Sequence, residues 1–163
     1  MTEKLKVYLE SSFISYLTGR ETTDAKIASW QALSRKWWKD EAPRCELNVS
    51  VFVLNETRVG NKEQIRLRDE KLAGLAVLET VSPEIAKLAK LLMKRHAVPV
   101  TEATDALHIA TAAFHGMDVL LTWNCRHMAN PYTLPITKKV IEAAGYACPL
   151  ITTPERFLED TEK

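Results

Sequence analysis

The chain has 163 residues, 46% hydrophobic and 26% charged, which excludes an unfolded polymer and suits one domain, residues 1–163, with a sizeable core. Its 22 basic and 21 acidic residues leave a net charge of +1, so charge does not by itself mark a nucleic-acid or membrane binder, and any substrate patch has to be local. No apolar run approaches the ~20 residues that span a bilayer. The three cysteines, Cys45, Cys125 and Cys148, lie far apart without metal-ligand spacing, and they point to a reducing cytoplasm.

In chain order, LKVYL at 5–9 reads as a first strand. Glu10 follows at once, and Phe13 to Leu17 reads as the opening turns of a helix. Thr23-Asp24 starts a second helix with an apolar stripe of Ile27, Trp30, Leu33 and Trp37, and Pro43 lies in the break after it. Glu46 to Ser50 is a second strand. Ser50 then caps a helix over Val51 to Glu56, since serine accepts hydrogen bonds from the first free backbone amides. Asn61 to Leu75 is a charged, solvated helix, and Val77 to Val81 a short strand.

Ser82-Pro83-Glu84 opens a strong helix because proline suits the first helical position; Ile85, Leu88, Ala89, Leu92 and Met93 form its buried stripe. Val98 to Val100 is a crossover. Thr104-Asp105 begins the next helix, with Leu107, Ala110, Thr111 and Phe114 at helical spacing and Gly116 at its end. Asp118 to Thr122 is an apolar run of the kind that fills a covered parallel strand. A helix from Pro135 to Ala144, a strand from Leu150 to Thr153 and a helix from Pro154 to Leu158 complete the chain. Strands separated by helices predict a central, mostly parallel sheet flanked by helices in a three-layer α/β/α sandwich.

Four polar residues fall where such a sheet places its ligands, at the carboxyl ends of strands. Glu10 and Asn124 follow strands; Glu56 and Asp105 ride the early turns of helices. Three carboxylates and an amide in one cleft repel one another without a cation. An all-oxygen set suits Mg²⁺ or Mn²⁺. Such an ion polarises a phosphodiester and lowers the pKa of a bound water, giving hydrolysis without a protein nucleophile.

The segments VYLESSFISYLTGR, LNETRVGN, TDALHIATAAFHGMDVLLTWNCRHMANP and ITTPERFL together resemble the PIN domain family, and above all the VapC-like toxins of type II toxin–antitoxin systems. The TDALHIA…LLTWN block is the most specific of them. The resemblance implies a metal-dependent ribonuclease that hydrolyses RNA, with a small antitoxin protein and a second copy of itself as partners. It also implies that Glu10, Glu56, Asp105 and Asn124 form the catalytic and metal-holding set. Two departures stand out. Glu10 occupies a position usually held by aspartate, so its carboxylate must withdraw or the metal must shift. Asn124 replaces a common fourth acid and removes one charge. They keep a second reading open, a catalytically weakened PIN module that binds RNA or protein. A small-molecule phosphatase is disfavoured, because no phosphate-cradling glycine loop is present among only five glycines.

Each residue also has a plainer role. Glu10 suits a helix cap, Glu56 can pair with Arg58 or Lys62, and Asn124 can form a local turn. Ser12 and Thr122 either support the carboxylates by hydrogen bonds or bond only to local backbone. His108 lacks zinc spacing and reads as a core or hydrogen-bonding histidine. His127 and Asn130 lie in the loop after Asn124, and Arg126 and Arg58 are candidates to meet phosphate. Lys36-Trp-Trp-Lys39 mixes aromatics with charge; core or interface is favoured over base stacking, with Trp37 and Trp38 as candidate dimer or antitoxin contacts.

Overall fold

The computed structural model describes residues 3–161. Five parallel strands, β1 (Leu5–Leu9), β2 (Cys45–Ser50), β3 (Ala76–Leu78), β4 (Val119–Leu121) and β5 (Leu150–Thr152), form one sheet in the order β3-β2-β1-β4-β5. All four pairings are parallel, with Val7 opposite both Leu47 and Val119. The helices are α1 (Ser11–Leu17), α2 (Ala25–Asp40), α3 (Val51–Thr57), α4 (Lys62–Leu72), α5 (Pro83–Lys94), α6 (Ala103–Phe114), α7 (Leu134–Ala143) and α8 (Pro154–Thr161). No helix among the described residues is long and apolar enough to cross a membrane. The sandwich expected from the alternating pattern is the one observed.

Strand order decides where a site can form. The chain builds one half of the sheet outward from β1 through β2 to β3, and the other from β4 to β5. The order reverses between β1 and β4, and their carboxyl ends border the crevice where open α/β sheets bind ligands. The ends of β1 and β4 that flank this point are apolar and fully buried, at Val7, Tyr8, Leu9, Leu120 and Leu121. The sheet ends on both sides in strands of only three residues.

Several boundaries differ from the sequence expectation, for local reasons. The third strand stops at Leu78 rather than Val81, because the Glu79 carboxylate accepts from the amides of Val81 and Ser82 at 2.8 and 3.1 Å and turns the chain. Asn61 is the cap of α4 rather than its first residue, and α4 ends at Leu72. Helix α6 starts at Ala103, so Thr104 lies inside the first turn and Glu102 holds the cap position. Gly116 does close α6, at φ +70°, a left-handed backbone that glycine adopts without strain. The buried face of α6 is wider than the predicted stripe and includes Ala106, His108, Ile109 and Ala110 through Ala113, since the helix is packed heavily against α5.

The tryptophans sort differently from the expected stripe. Trp37 is fully buried, edge-on to Phe13 and Phe157. It therefore has no surface to offer a partner, which overturns its candidacy as a dimer or antitoxin contact. Trp38 is partly buried beneath Lys71, while Ile27 at 36% exposure lies outside the core. Trp30 stacks on Trp123, with centroids 4.5 Å apart, and Lys26 lies over the Trp30 ring. Replacing Trp37 with alanine leaves a large cavity between α2 and α8 and is expected to destabilise the fold by about 3–5 kcal/mol. Trp38→Ala should cost clearly less, with chemical denaturation providing the measurement.

Candidate active site

The site is built from the ends of regular elements. Glu10 is the first residue past β1 and the N-cap of α1. Its Oε2 accepts from the Ser12 amide at 2.9 Å, and its Oε1 accepts from the Ser12 and Thr122 hydroxyls, each at 2.6 Å. Those hydroxyls in turn accept from the backbone: Trp123 N reaches Ser12 Oγ at 2.8 Å and Asn124 N reaches Thr122 Oγ1 at 2.9 Å. The capping role and the support by Ser12 and Thr122 are therefore present together. Glu10 is only 5% exposed, so its longer side chain is folded back onto the helix end.

Glu56 stands in the second turn of α3, which begins where β2 ends and is capped by Ser50 Oγ on Phe52 N at 3.2 Å. Glu56 Oε1 is met by Ser11 Oγ at 2.8 Å and His108 Nε2 at 2.5 Å. Neither Arg58 nor Lys62 pairs with it; Arg58 instead faces Asp69 at 3.7 Å. Burial pushes the Glu56 carboxyl up, but the hydrogen bonds from His108 and the Ser11 hydroxyl outweigh it, and the group sits below the ordinary carboxylate range.

Asp105 occupies the first turn of α6. Its Oδ2 accepts from Asn124 Nδ2 at 3.2 Å and lies 3.1 Å from His127 Nδ1. Burial holds the Asp105 carboxyl above its usual range, with the charge of Glu10 adding to the effect, against the hydrogen bonds from His127 and Asn124. Asn124 also turns the loop, its Oδ1 accepting from His127 N at 2.9 Å. Both ends of the amide are thus committed within the protein. Arg126 is exposed on the same loop, and Asn130 bonds to its carbonyl oxygen.

Two groupings of ligand atoms result, each within 4.8 Å: Glu10, Glu56 and His108, and Glu102, Asp105 and His127. Asn124 joins them through its bonds to Thr122 and Asp105. Among the described residues no lysine or arginine pairs with Glu10, Glu56 or Asp105; histidines stand beside Glu56 and Asp105 instead. Glu56 Oε2 and Asp105 Oδ1 accept no hydrogen bond from these residues. Gathered acids with bare oxygens and no fixed countercharge fit a hard divalent cation. Sequence reasoning missed Glu102, although an acid one helical turn before Asp105 is a visible signal. It also missed Ser11 and Tyr8, and gave His108 no acidic partner.

These features define a parallel α/β domain with acidic clusters around its topological switch point. The chain belongs to the PIN domain family, whose pattern matches residues 7–127. Two solved structures share the fold. Mycobacterium tuberculosis VapC20, described as a sarcin–ricin loop cleaving toxin, is 19% identical, with a TM-score of 0.55 over 86% of this chain and 96% of that one. VapBC2 from Rickettsia felis, solved bound to a DNA fragment from its promoter, is 16% identical, with a TM-score of 0.55 over 91% of this chain and 98% of that one. No curated protein sequence matches the chain.

The two shifted acids have opposite effects on stability. The raised Asp105 pKa means that its charge opposes folding: the penalty is absent below the unfolded pKa and fully present above the folded one. The lowered Glu56 pKa means the reverse: its contribution is present above the unfolded pKa and lost as pH falls through the folded one. In metal-free protein at neutral pH, Asp105→Asn should raise Tm by a few degrees and Glu56→Gln should lower it, both differences shrinking below about pH 4. Added Mn²⁺ should stabilise the wild type and leave Asp105→Asn unmoved in the same thermal scans.

Proposed function

We propose that this chain is a metal-dependent endoribonuclease that hydrolyses RNA phosphodiester bonds, acting as the toxin of a type II toxin–antitoxin pair. The observation that carries the reading is a pair of acidic clusters, Glu10 with Glu56 and His108, and Asp105 with Glu102 and His127, near enough for the Glu10 charge to act on Asp105 and, among the described residues, without a lysine or arginine partner for Glu10, Glu56 or Asp105. Family membership supports nuclease chemistry. The VapC20 description supports an RNA substrate, and the VapBC2 complex supports a small antitoxin partner. A homodimer is the accompanying expectation.

In this reading Glu10, Glu56 and Asp105 hold Mg²⁺ or Mn²⁺. When bound, the ion polarises the phosphodiester and acidifies water. The rest is positioning. Ser12 and Thr122 orient Glu10. Asn124 and His127 aim Asp105 by its Oδ2, so Asn124 assists through its neighbour rather than by offering a free atom of its own. Arg126, exposed on the adjoining loop, meets phosphate.

A second reading, a PIN module with weakened chemistry that binds RNA or protein, is favoured by one observation: the Glu10 carboxylate already accepts three hydrogen bonds. Cleavage of single-stranded RNA separates the two. The nuclease reading expects cleavage that requires Mn²⁺ or Mg²⁺, stops with chelator and falls at least ~100-fold in Asp105→Asn. Arg126→Ala should raise KM more than it lowers kcat. Equal, negligible cleavage by wild type and Asp105→Asn, with RNA still bound, would establish the binding module.

A further inference from the structure

Behind Glu56 runs a polar chain that the proposed chemistry does not use. Tyr8 on β1, Ser50 at the end of β2 and His108 on α6 are all 0% exposed. Ser50 Oγ lies 2.8 Å from Tyr8 Oη, Tyr8 Oη lies 2.7 Å from His108 Nδ1, and His108 Nε2 lies 2.5 Å from Glu56 Oε1. Phe52 packs edge-on to the imidazole. A phenol, a hydroxyl and an imidazole in an apolar interior lose their hydration and are retained only when mutually satisfied.

The chemistry of the end groups orients the protons. An ionised carboxylate only accepts, so His108 Nε2 carries hydrogen. Nδ1 then accepts from the Tyr8 hydroxyl, Tyr8 accepts from Ser50, and Ser50 Oγ accepts from Phe52 N at 3.2 Å. Every donor along this line points toward Glu56, an alignment in which neighbouring hydrogen bonds strengthen one another. Ser11 Oγ adds a second bond to the same oxygen.

Resting on the nuclease reading, we propose that Ser50, Tyr8 and His108 are positioning residues: they commit Glu56 Oε1, present Oε2 to the metal and keep His108 itself out of the coordination sphere. One fact supports this: an Nε2 that bears hydrogen has no lone pair to offer a metal. The consequence is selection for an oxygen-bound Mg²⁺ or Mn²⁺ over a nitrogen-seeking ion such as Zn²⁺.

The test uses the full chain, with ¹⁵N NMR of the metal-free protein, Mn²⁺ and Zn²⁺ titration by calorimetry, and RNA cleavage. The expected wild type has His108 as the Nε2–H tautomer, exchanging slowly with water. Tyr8→Phe, which keeps the ring packing, should weaken Mn²⁺ binding and lower kcat about tenfold or more, leave KM within about twofold and narrow the preference for Mn²⁺ over Zn²⁺. His108→Gln, whose amide N–H can reach Glu56, should retain more Mn²⁺ affinity and kcat than His108→Ala at matched stability. An Nδ1–H tautomer, or equal losses in His108→Gln and His108→Ala, would overturn the proposal. If wild type binds Mn²⁺, Glu56→Gln does not and Tyr8→Phe matches wild type, this inference fails alone. If wild type and Glu56→Gln alike bind no Mn²⁺, the nuclease reading fails and takes the inference with it.

Discussion

A buried anion needs partners, and the Glu10 carboxylate is the point where the two halves of this molecule supply them. An ionised carboxylate out of water costs several kcal/mol unless it is hydrogen-bonded. Here Ser12 comes from the helix that Glu10 caps, and Thr122 from just past β4, on the far side of the switch point. Each hydroxyl has one proton and gives it to Glu10. Each then has lone pairs left for a backbone amide, and takes those of Trp123 and Asn124. The loop that carries Asn124, Arg126 and His127 is therefore shaped by the same group that contributes negative charge to the crevice. Removing that charge would loosen the loop as well as the site.

This arrangement places tension in the fold. Asp105 is held partly buried with Glu10 close enough to raise its pKa, while Glu56 is stabilised by His108 and Ser11. One acid weakens the empty fold and another strengthens it. A divalent cation would relieve the first without disturbing the partners of the second, because those partners occupy Oε1 and leave Oε2 bare. Stability lost by crowding carboxylates is the usual cost of a site that must attract metal.

Much of this was legible in the chain because the signals are local. Helix starts, the apolar run of β4 and the placement of Glu10, Glu56 and Asp105 beside strand or helix ends all follow from residues within a turn or two. What was not legible depends on distant partners. Tyr8 sits in an apolar strand and reads as core, which it is, but its hydroxyl meets Ser50 and His108, 42 and 100 residues away. His108 reads as a buried histidine, and no pattern announces that Glu56 lies at its other nitrogen. Trp30 and Trp37 share one predicted stripe, yet one packs in the core and the other stacks on Trp123, a choice made by tertiary contacts. The end of β3 turned on Glu79 folding back onto two amides, an interaction with no periodicity to reveal it.

The brevity of the two border strands has a consequence of its own. Exposed borders of a sheet are templates on which other chains can add, and short ones give an incoming strand little to grip. With three residues in β3 and three in β5, a neighbouring molecule finds a ladder of very few rungs at either margin. Short borders of this kind offer little purchase for edge-to-edge stacking.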